Sequence, residues 1–397
     1  MADVRPFQCI RPDQKTAAEV AALPYDVYSR KEAKEKVHGH PLSFLNIDRP
    51  ETQYGDDFDM YSDKAYETAR DMLEAEIRDG VFVCDPDEAY YIYEETMDGR
   101  VQTGITACCA IEDYRKNIIK KHENTLEEKE QDRIRHIRTT GAQTGPIFLA
   151  YRENERLSAI LDEEKKNDCL YDFISDDGIR HHVWKISDAA HVAEIKQIFA
   201  GIESLYIADG HHRCASACKV GGTETFMAVL FADTQLKILP YNRAVRDLNG
   251  MTAEEFISAV SEKFTVAEAE NAVSPDAHAT FGMLLEGKWY CLTLKPEYER
   301  TDPVEVLDVS SLQDYLLGPV LGIENPRTDK RISFVGGIRG NGELEKMVGS
   351  GDYAVAFSMY PTQMNELLAV ADAGRLMPPK STWFEPKLRS GLFIHRI

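Results

Sequence analysis

Five consecutive residues, Asp209-Gly210-His211-His212-Arg213, put a carboxylate, two imidazoles and a guanidinium on one tight turn. Such a set suits the binding of an anion. Arg213 offers a planar fork of donors that matches phosphate, and Gly210 lets the backbone approach a ligand closely. The flanks supply the frame. Residues 205–208, Leu-Tyr-Ile-Ala, have the apolar, β-branched and aromatic character of a buried strand. Residues 215–218, Ala-Ser-Ala-Cys, are small and suit a close-packed helix. The turn therefore joins a strand end to a helix N-terminus, where backbone N–H groups favour negative charge. The same side chains have a structural reading, in which the histidines cap the turn and Arg213 pairs with a carboxylate. Their crowding at one strand-to-helix corner favours a site.

Three further stretches carry candidate side chains. In Leu23-Pro24-Tyr25-Asp26-Val27, Pro24 pushes Leu23 towards extended geometry and places Asp26 on a turn or strand end. Asp26 is then either a turn-capping carboxylate or a catalytic one. Lys121-His122-Glu123 and Thr125 precede an intensely charged helix that starts near Leu126. From Glu127 onward the Glu–Lys and Glu–Arg spacings predict a salt-bridged, solvent-facing helix. His122 and Glu123 form either a general base with its partner or a capped helix start. The C-terminal stretch from Met377 to Phe384 carries a proline pair, a Lys-Ser-Thr cluster and two aromatics, and is expected to pack back on the body. Lys380 within it either completes an anion site or serves docking alone. His181-His182, with no helix behind it, reads as an exposed pair.

The remaining pattern gives the architecture. An amphipathic helix spans 59–80, with Tyr61, Ala65, Ala69, Met72, Leu73 and Ile77 inward and Gly80 as stop signal. Strands at 90–93 and 101–111 join across Asp98-Gly99, a strong hairpin signal. Residues 43–47 alternate as a half-buried strand, and 181–186 and 226–231 read as further strands. The order is irregular, so the class is α+β with mixed sheets, not repeating βαβ units. Three portions follow along the chain: 1–150, 151–250 with the central motif, and 251–397 with the returning tail.

Composition narrows the function. The 397 residues carry a formal net charge of −21, which argues against unspecific nucleic-acid binding. An anionic ligand needs a local positive pocket. Eight cysteines without a C-x-x-C pair read as reduced apolar residues of a cytoplasmic protein. No apolar run approaches the roughly 20 residues of a membrane span, and Asp3 and Arg5 interrupt any signal peptide. The expected partner is a small molecule, with neither nucleic acid nor membrane. Walker A, protein-kinase, Gly-x-Ser-x-Gly and H-E-x-x-H motifs do not occur.

Together these motifs amount to a resemblance. Ala208 to Arg213 followed by a small-residue helix is similar to the phosphate-binding turn of the ParB/sulfiredoxin-like superfamily. Nearly the whole chain resembles the DUF1015 family, through Pro24 to Val27, Lys121-His122-Glu123 with Thr125, Ala208 to Arg213, Met377 to Phe384 and Ser390-Gly391-Leu392. Cys214 departs from the aromatic common in the family after His-His-Arg. The resemblance implies a ParB/sulfiredoxin-like phosphate-binding core and a small-molecule phosphotransferase, with free serine kinases among superfamily relatives. The donor is then pyrophosphate or a nucleotide such as ATP or ADP, and L-serine is the leading acceptor. Arg213, His211 and His212 would neutralise donor phosphates, with Gly210, Lys121, Thr125 and Lys380 alongside. Asp209 would hold Mg²⁺ or orient a histidine, and Asp26 or Glu123, with His122, would take the acceptor's proton. A non-catalytic sensor of a nucleotide or amino acid, and a phosphatase or nucleotidase, are the alternatives.

Overall fold

The computed structural model describes residues 1–397 and divides into two compact units. The first comprises Met1–Leu236 with Pro386–Ile397, and the second Lys237–Glu385. Their boundaries differ from the consecutive portions expected from sequence, because one sheet of the first unit gathers strands from either side of residue 150.

That sheet has nine strands. Its order is Ile119–Lys120, Leu205–Asp209, Ile147–Tyr151, Thr225–Ala232, Arg100–Ala110, Tyr90–Met97, Arg180–Ile186, Tyr171–Ile174, with Val4–Arg5 also paired to Arg100–Ala110. Leu205–Asp209 runs parallel to Ile119–Lys120 and antiparallel to Ile147–Tyr151, so the sheet is mixed. The hairpin turns at Asp98 and Gly99, both at positive φ (51° and 78°), as the Asp-Gly pair requires. Ile92, Ile105, Leu149, Phe199, Leu205, Phe226 and Leu230 share one apolar core on this sheet and are fully buried. Each contributes about 1.5–3 kcal/mol by leaving water. Cys109, Cys214 and Cys218 belong to that core, as small apolar residues.

A four-stranded sheet in the same unit, Phe82–Cys84, Cys9–Pro12, Ile394–Arg396 and Ala142–Gln143, takes in the end of the chain. The amphipathic helix forms as Asp63–Arg78, with Ala65, Ala69 and Leu73 buried. Tyr61 lies before its start and is 43% exposed, outside the buried stripe expected of it. Residues 43–47 are not a strand. They lead into the short helix Leu45–Asp48, buried at every position, and the Asn46 amide donates to the carbonyls of His40, Pro41 and Ser43. The apparent alternation arose because burial there is complete.

The second unit holds a six-stranded, wholly antiparallel sheet in the order Phe264–Ala269, Lys288–Leu294, Thr280–Leu285, Val355–Met359, Tyr241–Val245, Ile332–Gly336. The whole protein is α+β with mixed and antiparallel sheets. No helix is long and apolar enough to cross a membrane.

Candidate functional site

The strand Leu205–Asp209 and the helix His211–Val220 form where the sequence places them. A register shift between Ile207 and Asp209 against the neighbouring strand, a bulge of the kind that re-aims side chains, precedes the turn. Gly210 follows at φ 90°, ψ 31°. A Cβ there would stand 3.0 Å from Arg213 Nε and 3.1 Å from its Cζ, so both backbone and space call for glycine. Arg213 folds back across this turn. Its Nη1 donates to the Pro146 carbonyl at 2.5 Å, and its Nη2 to Asp209 Oδ2 at 3.4 Å. Lys387 Nζ reaches the same Asp209 oxygen at 3.5 Å. Burial pushes the Asp209 carboxyl up, but Lys387 and Arg213 outweigh it and hold the group well below the usual carboxylate range.

The two histidines have other partners. His122 is buried and packs edge-on against His211, with ring centres 4.5 Å apart at 85°. Burial lowers the His122 imidazole to about 4, Asp209 partly offsetting it, and burial with His122 alongside holds His211 well below its ordinary value. Both are neutral at neutral pH, so neither adds positive charge beside Arg213 and Lys387. The backbone N–H of His122 approaches His211 Nε2 at 3.5 Å, and that of Leu126 donates to His212 Nε2 at 3.0 Å. These contacts tie the segment 121–126 to the helix start. Thr125 donates its hydroxyl to Glu130, which also accepts from Lys219. Lys121 is exposed, its ammonium 5.9 Å from the centre of the Tyr114 ring, and Glu123 is half-buried.

Asp26 sits on the 3₁₀ turn Tyr25–Val27, exposed. The turn is held from two sides. Buried Arg49 donates Nη1 to the carbonyls of Tyr25 (2.9 Å) and Tyr28 (2.8 Å) and Nε to Glu51 (2.6 Å). Arg133 stacks its guanidinium 3.9 Å from the centre of the Tyr25 ring. Burial pushes the Tyr25 hydroxyl up to about 12, although Arg133 acts against it.

Asp26 and Arg213 line different parts of a crevice made of two cavities that share Tyr25, Asp48, Arg133 and His136. Its narrow part, about 30 Å³, is walled by Arg213, Gly145, Ser390, Tyr25, Asp48 and Arg133. The wider part, about 390 Å³, shares Tyr25, Asp48, Arg133 and His136 and adds Asp26, Arg49 and Glu51. His122, Glu123, Lys121 and Thr125 line neither part. Lys380 belongs to the second unit, at φ 58°, with its ammonium 5.6 Å from the centre of the Tyr241 ring.

Asp209 does not fit a metal ligand as it stands, because two cations converge on its carboxylate. No three His, Cys, Asp or Glu side chains gather to hold a metal ion. A magnesium ion here would take most of its ligands from donor phosphates and water.

Several crevice residues lay outside the candidate residues read from sequence, namely Tyr25, Asp48, Arg49, Arg133 and Ser390, as did Lys387 beside Asp209. The helix Glu127–Thr140 forms as expected, but it is not wholly solvent-facing. Glu130, Arg133, Ile134, Ile137 and Thr140 are buried. Their i, i+3, i+4, i+7 spacing around Ile134 and Ile137 was the signal available. His181 is also buried, not exposed. Tyr93 Oη, Ser175 Oγ and Arg389 Nε surround its ring at 2.9, 3.0 and 3.2 Å, and Arg389 pairs with Asp177 at 2.5 Å.

Fold and crevice define an α+β protein with a polar strand–turn–helix corner opening on a charged cleft. The sequence matches, over residues 4–310, the family described as protein of unknown function (DUF1015), and the chain belongs to that family. No curated protein matches it. Among solved structures, a free serine kinase in complex with AMP is 15% identical with a TM-score of 0.38, over 73% of this chain and 91% of that one. SbnI from Staphylococcus aureus, truncated at its C-terminus, is 12% identical with a TM-score of 0.40, over 70% and 82%. A conserved hypothetical protein from Pyrococcus furiosus is 15% identical with a TM-score of 0.37, over 74% and 95%. These likenesses are distant.

Proposed function

We propose that the protein is a small-molecule phosphotransferase with a ParB/sulfiredoxin-like phosphate-binding core, a kinase acting on the hydroxyl of free L-serine. One observation supports this above others: two cavities that share Tyr25, Asp48, Arg133 and His136 carry a guanidinium at a helix N-terminus in the narrower and an exposed carboxylate, Asp26, in the wider. Phosphoryl transfer needs those two elements. Arg213, Lys387 and the backbone N–H groups after Gly210 bind the donor, pyrophosphate or a nucleotide such as ATP or ADP. The acceptor hydroxyl attacks the terminal phosphorus, the bond to the leaving phosphate or nucleotide oxygen breaks, and the hydroxyl proton passes to Asp26. Mg²⁺, when bound with the donor, supplies charge neutralisation on its phosphate oxygens. The choice of serine rests on the family resemblance of the motifs.

The test is direct. The full chain is incubated with Mg²⁺, L-serine and pyrophosphate, ADP or ATP, and ³¹P NMR follows the appearance of a phosphomonoester. Transfer that depends on Asp26 supports the kinase. Release of inorganic phosphate without an acceptor indicates a phosphatase, and donor binding without turnover indicates a sensor.

A further inference from the structure

Asp48 and Arg133 stand in the middle of the crevice, in the wall common to its narrow and wide parts. Both are more than nine-tenths buried, at 3% and 8% exposure. Each nevertheless has a polar atom that no protein group satisfies. Thr144 donates its hydroxyl to Asp48 Oδ1 at 2.9 Å, and nothing donates to Oδ2. Arg133 directs Nε and Nη2 to Asp132 at 2.8 Å, and Nη1 donates to nothing. Neither atom is among the sealed side-chain atoms left without a partner, so each opens to water, which a ligand group can replace. The two residues do not pair with one another. An open carboxylate oxygen and an open guanidinium N–H in one wall are the complement of a zwitterion.

We infer that Asp48 and Arg133 form the receptor for the head group of an α-amino acid, its ammonium on Asp48 and its carboxylate on Arg133. The assignment builds on the phosphotransferase reading and names the residues that hold the acceptor. From this position a hydroxyl on a short side chain extends between Asp26 in the wide part and Arg213 in the narrow part, where a phosphoryl acceptor belongs. The receptor is rigid before ligand arrives. Asp132 grips two of the three guanidinium nitrogens, the Tyr25 ring fixes the plane, and Thr144 fixes the Asp48 carboxylate. Such preorganisation lowers the ordering cost of binding.

Titration calorimetry on the full chain tests this with three probes: L-serine, ethanolamine, which lacks the carboxylate, and 3-hydroxypropionate, which lacks the ammonium. Wild type should bind serine about 10- to 100-fold more tightly than either fragment, the range for a hydrogen bond between charged groups. Asp48→Asn keeps the side chain's shape and an oxygen for Thr144. It should weaken serine about 10- to 100-fold and leave 3-hydroxypropionate unchanged. Arg133→Gln should show the converse pattern, sparing ethanolamine. Removing Arg133 strips Asp132 of its partner, so the Asp48→Asn arm stands by itself where that variant fails to fold. Equal weakening of serine and 3-hydroxypropionate in Asp48→Asn, or wild type binding both equally, overturns the assignment. Binding of pyrophosphate or ADP through Arg213 with no hydroxy amino acid bound overturns the receptor and leaves the phosphotransferase. The Asp48-dependent serine pattern without any donor binding keeps the receptor and removes the phosphotransferase.

Discussion

Arg213→Lys separates a phosphate ligand from a structural tie, because the structure assigns the guanidinium two contacts at once. Nη1 bonds the Pro146 carbonyl at 2.5 Å, and Nη2 reaches Asp209 at the long distance of 3.4 Å. An ammonium has no fork and keeps at most one of these contacts. A hydrogen bond to a charged group contributes about 1.5–3 kcal/mol, and Asp209 retains Lys387 as partner. The variant should therefore fold, with an unfolding free energy lower by about 1–2 kcal/mol in urea titration. Donor binding should suffer more. A phosphate held by two parallel N–H groups loses one of them, a loss of about 10- to 100-fold in affinity for pyrophosphate or ADP. Calorimetry at fixed ionic strength measures this, since salt alone shifts phosphate affinity. The outcome that refutes the reasoning is specific. If stability falls as expected and donor affinity stays within a factor of two, Arg213 only ties the turn to the Pro146 strand entry.

Other perturbations probe the remaining parts. Asp26→Asn should lower turnover about 100-fold or more while donor affinity, by calorimetry, stays near wild type; full serine-phosphorylating activity in this variant and in Glu123→Gln excludes both as the base. Arg49→Lys cannot bond both the Tyr25 and Tyr28 carbonyls and Glu51, so the Asp26 turn loosens. Steady-state kinetics should then show kcat down about 10-fold with the donor KM unchanged; a change in KM alone contradicts the positioning role. His122 titrates near 4 in the folded chain, against 6.5 when unfolded. Between those values the unfolded state binds the extra proton, so stability rises with pH from about 4 to 6.5, by roughly 3 kcal/mol for this group. His122→Phe, which retains packing on His211, should remove that share of the slope in chemical unfolding measured from pH 4 to 7; an unaltered slope would mean that the imidazole is not buried neutral.

The strand–turn–helix corner was legible because its signals are local. A β-branched apolar run, a Gly needing positive φ and a small-residue helix sit within fifteen residues, and all three formed. The hairpin at Asp98-Gly99 was legible for the same reason. Asp26 reads correctly as a turn residue, because Pro24 restricts the chain before it. What no local pattern carried was the partnership across the chain. Asp48, Arg133, Thr144 and Ser390 meet only through tertiary packing, and all four are residue types usually found at the surface. The helix Glu127–Thr140 shows why. Its Glu–Lys and Glu–Arg spacings satisfy a solvated helix completely, so nothing in them demanded that Glu130 and Arg133 turn inward. His181 failed by the opposite route: a buried imidazole needs partners, and Arg389, its partner 208 residues later, is invisible to any window.

The charge of the molecule completes the argument about its ligand. At a formal −21, the chain repels anions at long range, so any anionic ligand is captured by contacts at its site. Arg49 pairs with Glu51 and Arg133 with Asp132, which confines each positive charge to its own crevice wall. Arg213 differs, since its carboxylate lies 3.4 Å away and is shared with Lys387. It is therefore the arginine of the crevice that a phosphate can engage at least expense to an existing ion pair. Arg133 is committed to Asp132 through two nitrogens and presents a single N–H, a geometry suited to one oxygen of a small carboxylate and poorly suited to a phosphate that accepts a fork. The proposed division of labour between the two arginines, donor phosphate at Arg213 and acceptor carboxylate at Arg133, is the one their ion pairs favour.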